Sequence, residues 1–128
     1  MLKVLLVDDE PFIVQGLSAL IDWEKEGFEI VGTAGNGSEA VEFLKSNPVD
    51  LILADIKMPV MNGLEFLKYI RETHLSEAFF VILSGYGDFT YAKEAIKWQC
   101  TDYILKPIQK SQLLALLSKV KQMQQDKK

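Results

Sequence analysis

Cysteine is almost missing: Cys100 stands alone among 128 residues. A single thiol excludes an internal disulfide and a multi-cysteine zinc site, and it fits a reducing, cytoplasmic compartment. Long apolar runs are missing too. The densest stretch, Ala78 to Leu83, falls far short of the roughly 20 residues needed to cross a bilayer, so no membrane association is expected. The first ten residues turn acidic at Asp8 and do not read as a signal peptide. There is no excess of positive charge: 14 Lys and Arg stand against 18 Asp and Glu, a formal charge of −4. Such a chain is poorly suited to grip phosphate backbones directly. Internal repeats and low-complexity segments are absent. What remains is ordinary for a globular protein, with 48% apolar and 25% charged residues. That composition and length predict one domain with a core of its own.

Short apolar runs alternate with longer helical patterns. Leu2–Val7, Glu29–Thr33, Leu51–Ala54, Phe79–Leu83 and Tyr103–Leu105 read as strands, and their near-continuous apolar character predicts a parallel sheet buried on both faces. Between them, helical spacing groups Ile13, Leu17, Leu20 and Ile21; then Ala40, Val41 and Leu44; then Leu64, Leu67 and Ile70; then Phe89, Ala92 and Ile96; and last Leu113, Leu117, Val120 and Met123. Pro11 suits a first helical turn. Asn62, Asp88 and Ser111 are candidate N-caps, and Gly27 and Asn47–Pro48 mark breaks. The expectation is α/β, a doubly wound (βα)5 domain over residues 1–121. Residues 122–128 read as a polar tail, either a frayed end or the start of a linker to an output domain.

In open α/β sheets, ligands bind beyond the carboxyl ends of the strands. Strand one ends in Asp8–Asp9–Glu10, strand three in Asp55, strand four in Ser84–Gly85 and strand five in Lys106–Pro107. Strand two delivers nothing ionisable, which suits an outer position in the order 2-1-3-4-5. Strands one and three are then neighbours, and Asp8, Asp9 and Asp55 converge. Three carboxylates in one pocket repel. A hard divalent cation such as Mg²⁺ relieves this and keeps positions open for phosphate oxygens. A carboxylate, a metal, an ammonium and a hydroxyl are the parts that aspartyl-phosphate chemistry uses.

These residues resemble the receiver domain of two-component response regulators, the CheY-like fold. The likeness runs over essentially the whole chain, through Asp8–Asp9, the run from Asp55 to Gly63, Ser84–Gly85 and Asp102 to Pro107. The resemblance implies that Asp55 is the phosphoacceptor. It implies that Asp9 holds Mg²⁺ (or Mn²⁺) directly, Asp8 mainly through water, and Lys57 through its backbone carbonyl. Ser84 becomes the switch hydroxyl, Tyr103 the aromatic rotamer switch and Lys106 the phosphoryl partner, with a cis bond before Pro107. A sensor histidine kinase is the implied partner, and the α4-β5-α5 face the implied site of homodimerisation. The stretches Asp22 to Phe28 and Ser84 to Ala92 are similar to receivers attached to AraC-type DNA-binding domains, so contact with DNA is expected only through an attached output domain. Ile108 stands where some DNA-binding subfamilies carry Phe. Lys57 and Tyr86 flank the expected path of the attacking water and are candidates for setting phosphoryl lifetime.

Two other readings use the same sheet. A Mg²⁺-dependent phosphohydrolase acting through an aspartyl phosphate needs a second acid near the nucleophile, and the residue two positions after Asp55 is Lys57. The expectation is therefore that the chain catalyses only its own phosphotransfer and dephosphorylation. A flavodoxin-like cofactor binder needs a hydroxyl- and glycine-rich loop after strand one, where Asp8–Asp9–Glu10 stands instead. Plainer roles suit the remaining candidates: His74 as a helix-end or solvated residue, Cys100 as a small semi-buried one, Trp23 and Trp98 as core or interface.

Overall fold

The computed structural model describes residues 1–85 and 89–127. Strands and helices alternate throughout: β1 (Leu2–Val7), α1 (Pro11–Leu20), β2 (Phe28–Ala34), α2 (Gly37–Ser46), β3 (Leu51–Asp55), α3 (Gly63–Glu72), β4 (Phe79–Ser84), α4 (Phe89–Lys97), β5 (Asp102–Leu105) and α5 (Lys110–Asp126). The strands form one parallel sheet in the order β2-β1-β3-β4-β5. Each strand starts and ends within a residue of its sequence-based bounds, because the apolar runs are cut off sharply, β2 by Gly27 and Gly35 and the others by Asp, Ser or Lys at their carboxyl ends.

Two cores follow from the two faces of the sheet. Leu5, Val7, Ile52, Ala54, Phe80 and Ile82 meet α2, α3 and α4 through Val41, Leu44, Phe66, Leu67, Ile70 and Ala95. The residues of opposite pleat, Val4, Leu6, Leu51, Leu53, Val81 and Leu83, meet Leu17 of α1 and Leu113, Leu116, Leu117 and Val120 of α5. Alternate residues of one strand thus feed different cores. The central strands β1, β3 and β4 are apolar at both sets of positions, as two-sided burial requires.

Local chemistry sets the element ends. Pro11 opens α1. Asn62 closes a capping box with Glu65 at the start of α3, so two orphan backbone donors are satisfied reciprocally. Three sequence-based expectations meet a different outcome or none. Ser111 is not a cap: α5 begins one residue earlier behind Gln109, whose side chain and that of Gln112 form the box. Ile96 does not face the core. It is 74% exposed, whereas Ala95 is buried with Tyr91 and Trp98 packed beside the same core. Two adjacent apolar stripes run along α4, and the small Ala95 permits the closer approach. Asp88 lies outside the described residues, as do Tyr86 and the side chain of Phe89. Helix α5 continues to Asp126, so residues 122–126 are helical.

Candidate functional site

The carboxyl ends of β1, β3, β4 and β5 bring four polar side chains to one edge. Val7 pairs with Ala54, so Asp8 and Asp55 leave neighbouring strands at the same level. Asp55 pairs with Leu83, and Ser84 with Leu105, which sets the hydroxyl of Ser84 and the amine of Lys106 one step along on the next two strands. The Lys106 amide donates to the Ser84 carbonyl at 2.7 Å, fixing the two strand ends together. The Lys106–Pro107 peptide is cis.

Lys106 is the hub. Its Nζ donates to Asp8 Oδ2 at 2.9 Å and lies 3.2 Å from Asp55 Oδ2. All three side chains are largely enclosed, between 5% and 18% exposed. Burial favours the protonated form of Asp55 most strongly; the Lys106 charge opposes it, the Asp8 charge reinforces it, and the net result is a carboxyl held above its ordinary range. Burial alone would lower the Lys106 ammonium, but the Asp8 hydrogen bond and the charges of Asp55 and Asp8 outweigh it and hold it above the usual lysine value. The second oxygens are tied to backbone: Asp55 Oδ1 accepts from Ile56 N at 2.8 Å, and Asp8 Oδ1 from Glu10 N at 2.9 Å. Each carboxylate is thereby oriented and not free to rotate away.

Asp9 completes the cluster from the solvent side. One oxygen from each of Asp8, Asp9 and Asp55 lies within 4.8 Å of the others, graded from buried Asp8 to exposed Asp9. The donor set fits a hard divalent cation: all ligands are oxygen, the count is low, and one side is open to water. Lys57 is exposed on the chain leaving Asp55.

The loop from β3 to α3 is locked. Gly63 N donates to Ile56 O at 2.8 Å, and Gly37 N to Met61 O at 2.9 Å. A Cβ on Gly63 would run into the Asp55 carbonyl oxygen, so only glycine lets α3 start this close to the acidic residue. Val60 has φ +69°, and Met61 N donates to Pro59 O across it at 2.7 Å. That is a strained γ-turn with a branched residue at its centre, and the Val60 side chain is solvent-exposed. Nothing in the residue types around Val60 announces this turn.

The structure brings Asp8, Asp9, Asp55 and Lys106 together as the strand-end reading expects, with Ser84 fully buried beside them. Tyr103 is half-buried against the α4 side of the sheet, in the same core as Tyr91 and Ala95. It stands on β5, with β4 between it and Asp55 on β3, outside the carboxylate cluster. Arg71, at the opposite edge, carries no sequence signal; one arginine in the last turn of a helix reads as solvated.

A family model described as the response regulator receiver domain matches residues 4–118. The chain belongs to the response regulator receiver domain family. This receiver domain is 40% identical over 120 residues to the transcriptional regulatory protein YesN of Bacillus subtilis, covering 94% of this chain and 32% of that protein. The chain spans between about a third and a half of the length of the curated relatives it matches. Among solved structures, the receiver domain of AraT from Geobacillus stearothermophilus superposes with a TM-score of 0.88 at 38% identity, covering 99% of this chain and 98% of that one. The CheX–CheY–BeF3–Mg²⁺ complex from Borrelia burgdorferi matches with a TM-score of 0.83 at 31% identity, covering 93% and 88%. A receiver domain is a signalling module, not an enzyme with a turnover substrate of its own. Among the described residues, no helix is long and apolar enough to cross a membrane.

Proposed function

We propose that this receiver domain is a phosphorylation-controlled switch in which Asp55 accepts a phosphoryl group from a sensor histidine kinase. The observation that carries the reading is the Lys106 ammonium set between Asp8 and Asp55, with Asp9 completing three converging carboxylates. A carboxylate oxygen of Asp55 attacks the phosphorus of the donor's phosphohistidine. The P–N bond breaks, the imidazole leaves and takes up a proton, and a carboxyl–phosphate anhydride remains on Asp55. Asp9 would hold Mg²⁺ or Mn²⁺ directly, Asp8 through water, and Lys57 through its backbone carbonyl. The bound cation would neutralise charge on the phosphoryl oxygens. A relative solved with BeF3 and Mg²⁺ supports this pairing of site and ion.

Once the phosphoryl group is attached, Lys106 exchanges its contact with Asp55 Oδ2 for one with a phosphoryl oxygen. The Ser84 hydroxyl donates to another. Drawing Ser84 inward leaves room for Tyr103 to repack, and the α4-β5-α5 surface changes shape as a population shift between two packings. Ile96 on α4 and Leu105 on β5, 74% and 51% exposed, support that surface as the place where two copies pair. Residues 122–128 lead toward an output domain; the name of YesN supports a transcriptional one, and the similarity of Asp22 to Phe28 supports one that binds DNA and is of AraC type. Such a regulator works in the cytoplasm. Lys57 and Tyr86 limit access of water and so lengthen the life of the anhydride, which the domain itself hydrolyses. A general phosphohydrolase is the weaker reading, since exposed Lys57 leaves no acid two residues after Asp55.

The test is radiolabel transfer from acetyl phosphate. Wild type should incorporate label only with Mg²⁺, and Asp55→Asn should incorporate none. Label retained by Asp55→Asn would move the site elsewhere. For the lifetime claim, Tyr86→Ala should lose label faster than wild type; equal decay would remove Tyr86 from that role.

A further inference from the structure

We propose that the cleft at the opposite edge of the sheet, where β4 and β5 begin, binds a small polyanion carrying two or more phosphate groups. The cleft has a volume of about 840 Å³ and is lined by Arg71, Glu77, Phe79, Lys97, Trp98 and Lys127 among others. That size suits a ligand of nucleotide or oligophosphate dimensions and not a folded partner.

Arg71 is the deciding residue. It is half-buried, and its guanidinium donates to four backbone carbonyls: Trp98 O at 3.3 Å, Ser76 O at 3.0 Å, Ala78 O at 2.9 Å and Gln99 O at 3.3 Å. Carbonyl dipoles satisfy its hydrogens but bring no net negative charge. Among the described residues no carboxylate comes within ion-pair distance of it. Enclosed charges are ordinarily paired, and this one is not. Burial accordingly lowers the Arg71 pKa, with Cys100 and Glu77 only partly offsetting it.

Lys97 and Lys127 deepen the imbalance. Their ammonium groups lie 5.7 Å from the centroid of the Trp98 ring and 5.0 Å from that of Phe79. Ring faces hold the lysines over the cleft by cation–π attraction, and neither has a carboxylate partner among the described residues. Lys68 covers Trp98 as well, at 5.7 Å. Against three lining cations stands one lining acid, Glu77. In a chain of net charge −4, this is a local reversal of sign. The fixed positive charge of Arg71, with four of its N–H groups held by carbonyls, and the two ring-held ammoniums together suit phosphate groups spaced along one small molecule.

The experiment follows Trp98 fluorescence of the whole chain without Mg²⁺, titrated with tripolyphosphate and separately with ATP. Saturable change is expected with both probes. Equal affinity would assign recognition to the phosphates alone; tighter ATP would add the base. Trp98→Phe should remove the signal, since Trp23 is buried elsewhere. The variant Lys97→Gln/Lys127→Gln, which touches only surface side chains, should bind at least tenfold more weakly while taking label on Asp55 as wild type does. No saturable change up to millimolar probe, or unaltered affinity in that variant, would overturn the proposal. Labelling of Asp55 reads the other edge separately, so either reading can fail alone.

Discussion

The two edges of the sheet carry opposite charge, and the parallel topology explains why. At the edge where strands end, chain direction reverses into helix N-termini, and Asp8, Asp9 and Asp55 gather around Lys106. At the edge where strands begin, helix C-termini arrive, and Arg71 and Lys97 sit in the last turns of α3 and α4. Helix dipoles favour acids at the first kind of end and bases at the second. A βα repeat therefore sorts charge onto opposite edges without any long-range plan. The edges differ in how that charge is balanced. The acidic edge has an internal counter-ion in Lys106, and one more cation would complete it. The basic edge sets one lining acid, Glu77, against Arg71, Lys97 and Lys127 among the described residues.

The largest expected effect tests how tightly the acidic edge is built. Gly63→Ala should destabilise the fold by about 3 kcal/mol, as overpacking against backbone does, measured by urea unfolding. A neutral result would mean that the β3–α3 loop can shift and is not locked. Next comes the basic edge. Arg71→Met strips four carbonyls of their donor at once and should cost about 2 kcal/mol. Wild-type stability in that variant would mean that water replaces the guanidinium freely.

A subtler effect has a definite sign. The Asp55 pKa is raised on folding, chiefly by burial, so the native state holds that proton more tightly than the unfolded chain. Without divalent ions, stability should fall as pH rises from about 4, the ordinary carboxylate value, through the higher folded pKa. Asp55→Asn should flatten that fall and melt higher than wild type at pH 7. Lys106 has the reverse role at the alkaline end. Its folded pKa is raised, so its contribution is complete below about 10.4 and is lost as pH climbs through the folded value. Equal pH profiles of wild type and Asp55→Asn would break the electrostatic account of the acidic edge.

The smallest effect on stability is expected at Ile96. Ile96→Asp should change it by no more than about 0.5 kcal/mol, because the side chain is already in water. The same variant should prevent dimers from forming after beryllofluoride addition, read by light scattering. Undiminished dimerisation would move the pairing surface away from α4.

Much of the acidic edge was legible in the sequence because strand ends are abrupt. An apolar run that stops at Asp8, Asp55, Ser84 or Lys106 declares both the strand and what it delivers. Helix faces were less readable. In α4, Phe89, Ala92 and Ile96 form one helical stripe and Tyr91, Ala95 and Trp98 the next, and periodicity alone cannot choose between neighbours. In α5 the cap lies two residues before Ser111, because the Gln109 and Gln112 side chains satisfy the first turn. The basic edge was silent altogether: Arg71, Lys97 and Lys127 are scattered singly, each at an ordinary helix end.

By itself, the sequence determined the order of elements, the two-sided burial of the central strands and the set of side chains at the strand ends, since each depends on the pattern of near neighbours. Only the tertiary structure decided which stripe of α4 is buried, that Lys106 joins Asp8 to Asp55, and that Arg71 spends its hydrogens on carbonyls instead of a carboxylate. Those outcomes depend on distances between residues far apart in the chain, which packing sets and local pattern does not contain.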